Sequence, residues 1–409
     1  MNHLTASKSN GNQLAVGIDP HEDILGIIYL DSNHSILKGF SIPNCSLHHF
    51  QQLSTDVLCV AKSISAVPVF VIESTNVFWR PIFSFLYHKG FGKLYTVNPY
   101  QTNSSRKTRM RKTKTDLIDA KNIAELYLQG KAHFTHFPPG NLFDLRELTR
   151  FYFWISDIKG RILNRIYGYM FQVFPEAMSV FPKKYFSKTL ALLLKKKLIH
   201  PSTISEMNPA HLSDIVRRIS RNKYTNRINQ LVSLATHSTG LPEGKYAFLN
   251  ILSSLVKIYQ FLDSVNSLFE SRHIKPIMDT VPNKFFSLKG FSTISQASFV
   301  SELGNLNWFT KADDVLAFFG LDPAIAQSGR RKGQGKHISK AGTKFGRETM
   351  FLAASPCIMH NPVIKRKYKK LRSQGRHYID AKTIIAGVLT KICYAMYRDN
   401  SQFDPDKVF

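Results

Sequence analysis

Cysteine is scarce in this 409-residue chain, and its four copies, Cys45, Cys59, Cys357 and Cys393, lie far apart. No CxxC pair or Cys/His finger spacing occurs, which argues against structural zinc and against a disulfide framework. Long apolar runs are missing too, and none approaches the ~20 residues of a membrane-spanning helix. The polar start of the chain (Asn2, His3, Ser7, Lys8, Ser9, Asn10) lacks the apolar segment of a secretory signal. These absences predict a soluble intracellular protein with no membrane partner. There is no internal repeat and no low-complexity tract. Acids are the remaining shortage. Asp and Glu number 28 against 55 Lys and Arg, a formal net charge of +27. Such a surplus selects polyanions, nucleic acid before anionic lipid. With 43% hydrophobic residues the chain can build real cores, and its length suits two or three domains.

The acids that are present are not scattered evenly. Asp116 and Asp119 follow a basic stretch holding Arg106, Lys107, Arg109, Arg111, Lys112 and Lys114, with no acid among them. The apolar run Leu117, Ile118, Ala120, Ile123, Ala124, Leu126 predicts a helix, with Thr115 as its N-cap. Positions i and i+3 share a helix face, so both carboxylates can aim at one hard divalent cation.

Earlier in the chain, Leu14–Ile18 and Ile24–Leu30 read as a β-hairpin whose first strand ends at Asp19. Val67–Ile72 is another strand, ending at Glu73. A helix over Phe78–His88 and a short strand over Leu94–Val97 follow. Strands alternating with helices predict an α/β domain with Asp19 and Glu73 just beyond strand ends. Singly, each acid reads as a cap or a surface charge. Four together beside a basic approach suit Mg²⁺-assisted phosphodiester chemistry, with other divalent metals possible.

Pro138-Pro139-Gly140 closes this domain. Leu142, Leu145, Leu148, Tyr152, Ile155, Ile158, Ile162 and Ile166 then mark a long amphipathic helix. Residues 175–245 read only as mostly helical. Phe248, Ile251, Leu255, Ile258, Leu262, Val265 and Phe269 form an a/d heptad seam. That seam suits an ordinary bundle helix, an antiparallel arm or an oligomerisation element. Gly290, between Phe285 and Ser292, reads as a turn between helices, serving either as a cap or as a place where backbone N–H groups meet phosphate.

Between Asp322 and Glu348 there is no acid, while Arg330, Arg331, Lys332, Lys336, Lys340, Lys344 and Arg347 share the stretch with five glycines. This composition suits a loop that hugs a phosphate backbone. Ser328, beside Gly329 and two arginines, is either a nucleophile toward phosphorus or part of a non-covalent phosphate loop. A third basic cluster, Lys365 to Arg372, reads as a helix facing nucleic acid.

At these residues the chain resembles the DEDD transposases of bacterial insertion sequences, the IS110 group, whose members are RNA-guided recombinases. The likeness lies in Val16-Gly17-Ile18-Asp19, Val71-Ile72-Glu73-Ser74-Thr75, Val97-Asn98-Pro99 and Lys114-Thr115-Asp116-Leu117-Ile118-Asp119-Ala120. It continues in Glu302-Leu303-Gly304-Asn305, Phe319-Gly320-Leu321-Asp322-Pro323, Gln327-Ser328-Gly329 and Ile338-Ser339-Lys340-Ala341-Gly342. The resemblance implies an α/β RuvC-like (ribonuclease-H-like) domain over 14–138, a helical coiled-coil region over 140–280 and a small, mainly α C-terminal transposase domain over 281–409. It implies Mg²⁺ bound by Asp19, Glu73, Asp116 and Asp119, and Ser328 attacking a DNA phosphate to form a phosphoserine link. It further implies a composite site often shared across subunits, double-stranded DNA and a structured guide (bridge) RNA as partners, a dimer or tetramer, and a cytoplasmic, nucleoid-associated bacterial protein. Three positions depart from the family pattern: Ser292 for a glycine, Thr343 for an asparagine and Gly346 for a leucine. The alternatives are a RuvC-like, metal-dependent, structure-specific endonuclease that uses water, and a non-catalytic nucleic-acid-binding protein.

Overall fold

The computed structural model describes residues 12–107, 115–134, 140–182, 186–220, 227–282, 284–323, 327–328, 331–332 and 337–407. They form two compact units, Met1–His136 and Phe137–Phe409.

The first unit is built on a sheet of β1 (Gln13–Pro20), β2 (Ile24–Leu30), β3 (Ile36–Pro43), β4 (Val67–Glu73), β5 (Leu94–Val97) and β6 (His133–Phe134), in the order β3-β2-β1-β4-β5-β6. The first three strands run antiparallel, and β4 and β5 run parallel to β1. That order is the ribonuclease-H-like arrangement of a RuvC-type domain. The expected hairpin is β1 and β2, with Ile18 opposite Ile27. Strand β3 and helix α1 (Leu47–Ser63) were not foreseen. β3 is an edge strand with Ile36 and Leu37 on the surface, so it lacks the inward alternation that marks a strand.

Helices α2 (Arg80–His88), α3 (Pro99–Lys107) and α4 (Asp116–Leu128) complete this unit. Val69 and Val71 meet Ala120, Ile123 and Ala124 of α4 in one core. Alternate residues Phe70 and Ile72 are fully buried on the other face, where α1 packs on β4. Burial on both faces explains why β1 and β4 are nearly continuous apolar runs.

The second unit is mainly helical. α5 (Asn141–Val173) is the expected long helix. It is followed by α6 (Ala177–Val180), α7 (Lys188–Lys195), α8 (Pro201–Glu206), α9 (Pro209–Ser220), α10 (Ile228–Thr236) and α11 (Lys245–Leu268). α5 and α11 run antiparallel: Asn266 donates to Ser156 (2.9 Å), Lys159 pairs with Asp263, and Phe269 stacks near Phe151. The buried face of α11 carries Leu249, Leu252 and Val256, in a core shared with α5 and α7. Ile251 and Ile258 of the heptad seam, with Phe261 and Leu268 beside it, remain exposed.

A π-helical turn (Phe269–Ile274) leads to α12 (Lys275–Asp279), then α13 (Thr293–Leu303) and α14 (Ala312–Phe318). Two-residue strands β7 (Gln327–Ser328) and β8 (Arg331–Lys332) precede α15 (Lys344–His360), α16 (Pro362–Ser373) and α17 (Tyr378–Arg398). Phe285, Phe299, Phe319, Met350, Cys357, Leu389 and Cys393 share one core. Gly290 has φ +90°, and a Cβ there would meet the Pro356 carbonyl oxygen at 2.5 Å. The turn glycine thus seats its loop against α15.

Candidate metal centre

Two glycines bring the acids together. A Cβ on Gly17 would lie 2.1 Å from the Ala120 carbonyl oxygen, and one on Gly26 would lie 2.9 Å from Asp116 Cβ. Their absence lets α4 ride directly on β1 and β2, with its N-terminus over the end of β1. Thr115 caps that helix, its Oγ1 accepting from Ile118 N at 3.3 Å. Asp116 and Asp119 occupy the first turn, where the helix dipole favours negative charge. Asp19 lies one residue beyond the Ile18–Ile72 register pair that β1 makes with β4, and Glu73 ends β4.

Asp19, Glu73 and Asp119 are buried, and Asp116 is half-exposed. Burial lifts the Asp19 carboxyl from 3.8 to about 6; His21 opposes the rise, and the charges of Glu73 and Asp119 add to it. The Thr102 hydroxyl has two acceptors for its proton, Glu73 Oε1 at 3.0 Å and the Pro99 carbonyl at 2.9 Å, and Asn122 Nδ2 donates to the Thr102 carbonyl at 3.3 Å. His21 Nε2 lies 3.3 Å from Asp19 Oδ2 and 3.4 Å from Asp116 Oδ1.

His21 and Thr102 are the residues that reading the sequence missed. A signal for His21 existed: residues i and i+2 of an extended strand share a face, which places it beside Asp19. Thr102 had none, because its role depends on α3 folding back over β4.

This donor set fits a divalent cation. Asp19, His21 and Asp116 each offer one ligand atom, and these atoms lie within 4.8 Å of one another. Burial of Asp19 beside the charges of Glu73 and Asp119 disfavours its ionised form, and a cation relieves that cost. Oxygen donors suit Mg²⁺ or Mn²⁺, and an imidazole broadens the choice toward softer divalent metals.

The basic segments are placed more sparsely. Ser328 pairs antiparallel with Arg331, and Gln327 with Lys332. The side chains of Ser328, Arg331 and Lys332, and all of Arg330 and Lys336, lie outside the described residues, as do Arg109, Arg111, Lys112 and Lys114. Arg106 and Lys107 belong to α3, with their side chains outside the description. Lys340 and Lys344 are exposed. Arg347 is half-buried and donates from Nη1 to the carbonyls of Phe319 (3.2 Å) and Lys340 (3.3 Å). On α16, Lys365, Arg366, Lys369, Lys370 and Arg372 are exposed with no acid in the helix.

The base of the serine segment is tightly built. Ser339 N donates to the Asp322 carbonyl (2.8 Å), its hydroxyl donates to the Asp322 carboxylate, and Thr343 N donates to the Phe318 carbonyl (2.9 Å). A Cβ on Gly342 would sit 2.3 Å from that same Phe318 oxygen. Buried Glu302 accepts from Arg150 Nε (2.6 Å) and Nη2 (3.0 Å), and from the Thr343 hydroxyl (2.8 Å). Two of the departures from the family pattern therefore have structural partners. Thr343 binds Glu302, and Gly346 makes room for the Phe319 ring, 2.6 Å from where a Cβ would be.

Comparison with known proteins adds the following. The family model of the DEDD transposases of IS110 type matches residues 16–175, and that of the transposase IS116/IS110/IS902 family matches residues 283–369. The chain is 21% identical over 252 residues to the "Insertion element IS110 uncharacterized 43.6 kDa protein" of Streptomyces coelicolor, covering 60% of each. It is 23% identical over 227 residues to the "Insertion element IS900 uncharacterized 42 kDa protein" of Mycobacterium paratuberculosis, covering 54% of this chain and 56% of that one. The chain thus spans less than two thirds of the length of these curated relatives. Among solved structures, T. thermophilus RuvC in complex with a Holliday junction substrate is similar at 16% identity, with 30% of this chain and 98% of that chain covered and a TM-score of 0.22.

Proposed function

The chain belongs to the IS110 family of DEDD transposases, and on that premise we propose that it cuts and rejoins double-stranded DNA, with Ser328 as nucleophile and Asp19, Glu73, Asp116 and Asp119 as the Mg²⁺ ligands. The observation that carries the metal half of this reading is the buried, mutually repelling acid group at the end of β1 and β4. His21, between Asp19 and Asp116, joins that site as a further ligand. When bound, Mg²⁺ supplies Lewis-acid stabilisation of the charge that develops on the reacting phosphate.

Ser328 Oγ bonds to phosphorus while the sugar oxygen leaves. A second strand's sugar hydroxyl then displaces the serine and restores the phosphodiester. The cations from Arg330 to Arg347 offset phosphate charge during both transfers. A structured RNA encoded by the element selects the DNA, held by the basic segments at 106–114 and 365–372. The exposed apolar line Ile251, Ile258, Phe261 and Leu268 favours self-association as a dimer or tetramer. In function the chain divides as 14–138 for the metal, 140–280 for assembly and 281–409 for the serine. The same acid group also supports a hydrolytic RuvC-like endonuclease.

Strand exchange on DNA carrying the element's ends separates these readings. Ser328→Ala should stop exchange while RNA and DNA binding persist. Hydrolytic cleavage at the normal rate by Ser328→Ala would move the assignment to the endonuclease.

A further inference from the structure

Beside the acid group, the first unit carries an open groove of about 640 Å³ that the proposed chemistry leaves unused. Phe50, Phe78 and Phe85, with Val77, Leu47 and Pro81, supply its apolar lining. Asn44 forms part of its wall and links it to the metal centre. That side chain is buried, and its Nδ2 donates to the His21 carbonyl (2.6 Å) and the Phe78 carbonyl (3.1 Å). Both amide hydrogens are thus spent on holding the His21 segment to the groove. Among the described residues Asn44 Oδ1 is left buried with no hydrogen-bond partner, which is costly.

We propose that this groove receives one unstacked nucleobase of the nucleic-acid strand held at the acid group; the proposal rests on the nucleic-acid reading above. Its volume lies within the ~300–1,000 Å³ of ligand pockets. Aromatic walls take the face of a base, whatever its sequence. The charged lining residue is Glu22, an acid, and among the described residues no cation lines the groove itself, Lys89 Nζ standing 5.8 Å from the centre of the Phe85 ring. A carboxylate rim repels phosphate, so the groove suits a base and not the backbone. Glu22 is an exposed acceptor on the groove, and its carboxylate matches the amino groups of adenine, cytosine or guanine. Withdrawing a base from its stack lets the adjoining phosphate approach the acids.

The cysteines provide the test. Cys45 is exposed and lines the groove, Cys59 is exposed but not among the lining residues, and Cys357 and Cys393 are buried. The full chain is treated with iodoacetamide in Ca²⁺, alone and with a single-stranded DNA oligonucleotide, while fluorescence anisotropy follows binding independently. With oligonucleotide at ~10 times its dissociation constant, Cys45 alkylation should slow about tenfold, by simple site occupancy. Cys59 should be unaffected. Replacing one base after another by an abasic residue should abolish the protection at one position. Ser84→Trp, which fills the groove from α2, should lower protection in the same way, and Ser84→Ala should not. The same assay with RNA of equal sequence tells which strand supplies the base. Full binding with Cys45 unprotected, or protection indifferent to every abasic position, overturns the base site alone. No binding of any oligonucleotide overturns the nucleic-acid reading as well.

Discussion

The acid group and the serine segment solve opposite problems. Around Asp19 the charges are of one sign, buried, and fixed by regular elements: two strand ends and a capped helix brought close by Gly17 and Gly26. Between Asp322 and Glu348 the sequence around Ser328 carries only positive charge, and at the base of the segment Ser339 binds Asp322 and Thr343 binds Glu302. The acids of the first region call for a cation, and the basic sequence of the second calls for an anion.

Asp119→Asn should have the largest effect. It should abolish DNA cleavage while far-UV circular dichroism and RNA binding stay near wild type. Full recombination by the purified variant in Mg²⁺ would remove the acid group from the chemistry.

Glu302→Gln tests the other region. Losing the carboxylate of this bidentate ion pair leaves Arg150 with Glu147 as its acidic neighbour, and hydrogen bonds to a charged group are worth about 1.5–3 kcal/mol. The thermal midpoint should fall clearly, and strand exchange should fall with it. A midpoint within error of wild type would mean that the Arg150–Glu302–Thr343 lock does not hold the serine segment.

The raised Asp19 carboxyl gives a pH signature. Its folded pKa of about 6 lies above the ordinary 3.8, so ionisation is disfavoured in the fold. Without metal, stability should drop as pH rises from about 4 to about 6 and then level off. Mg²⁺ or Mn²⁺ should restore the midpoint at pH 7.5 and do little below pH 5. Asp19→Asn should show neither effect. A metal-induced rise that is equal at pH 5 and pH 7.5 would contradict this assignment.

The smallest expected effects come from the surface seam and from Thr102. Changing Ile258 and Phe261 together to Lys should lower the particle mass in light scattering with the helical content unchanged. An unchanged mass would assign assembly to another surface. Thr102→Val removes a single hydrogen bond to Glu73, which is worth about 1.5–3 kcal/mol to a charged group, and should weaken metal binding measurably. Equal metal affinity would make Thr102 a packing residue only.

Much of the first unit could be read from the chain. The hairpin, β4, β5 and α4 all announce themselves by apolar runs ending in turns or caps, and Asp19 and Glu73 stand at strand ends. β3 escaped because an exposed edge has no buried alternation, and α1 escaped although Phe50, Leu53, Val57 and Ala61 mark a buried face behind the Ser46 cap. His21 and Thr102 depend on tertiary proximity that local pattern does not encode. The heptad on α11 was legible as a period, but not which of its faces is buried: Leu249, Leu252 and Val256 enter a core shared with α5 and α7, and Ile258 stays outside. In the last region Gly290, Gly342 and Gly346 read as loop or turn residues, yet each makes room for its own chain's packing.

The central claim is that Ser328 becomes covalently joined to DNA with the help of the acid-bound metal. The direct measurement is to trap the reaction on a denaturing gel and map the adduct by peptide mass. The account predicts a protein–DNA adduct on the Ser328 peptide that requires Mg²⁺ and is lost in Ser328→Ala and in Asp119→Asn. Cleaved DNA with no adduct, or an adduct formed equally well by Asp119→Asn, would contradict it.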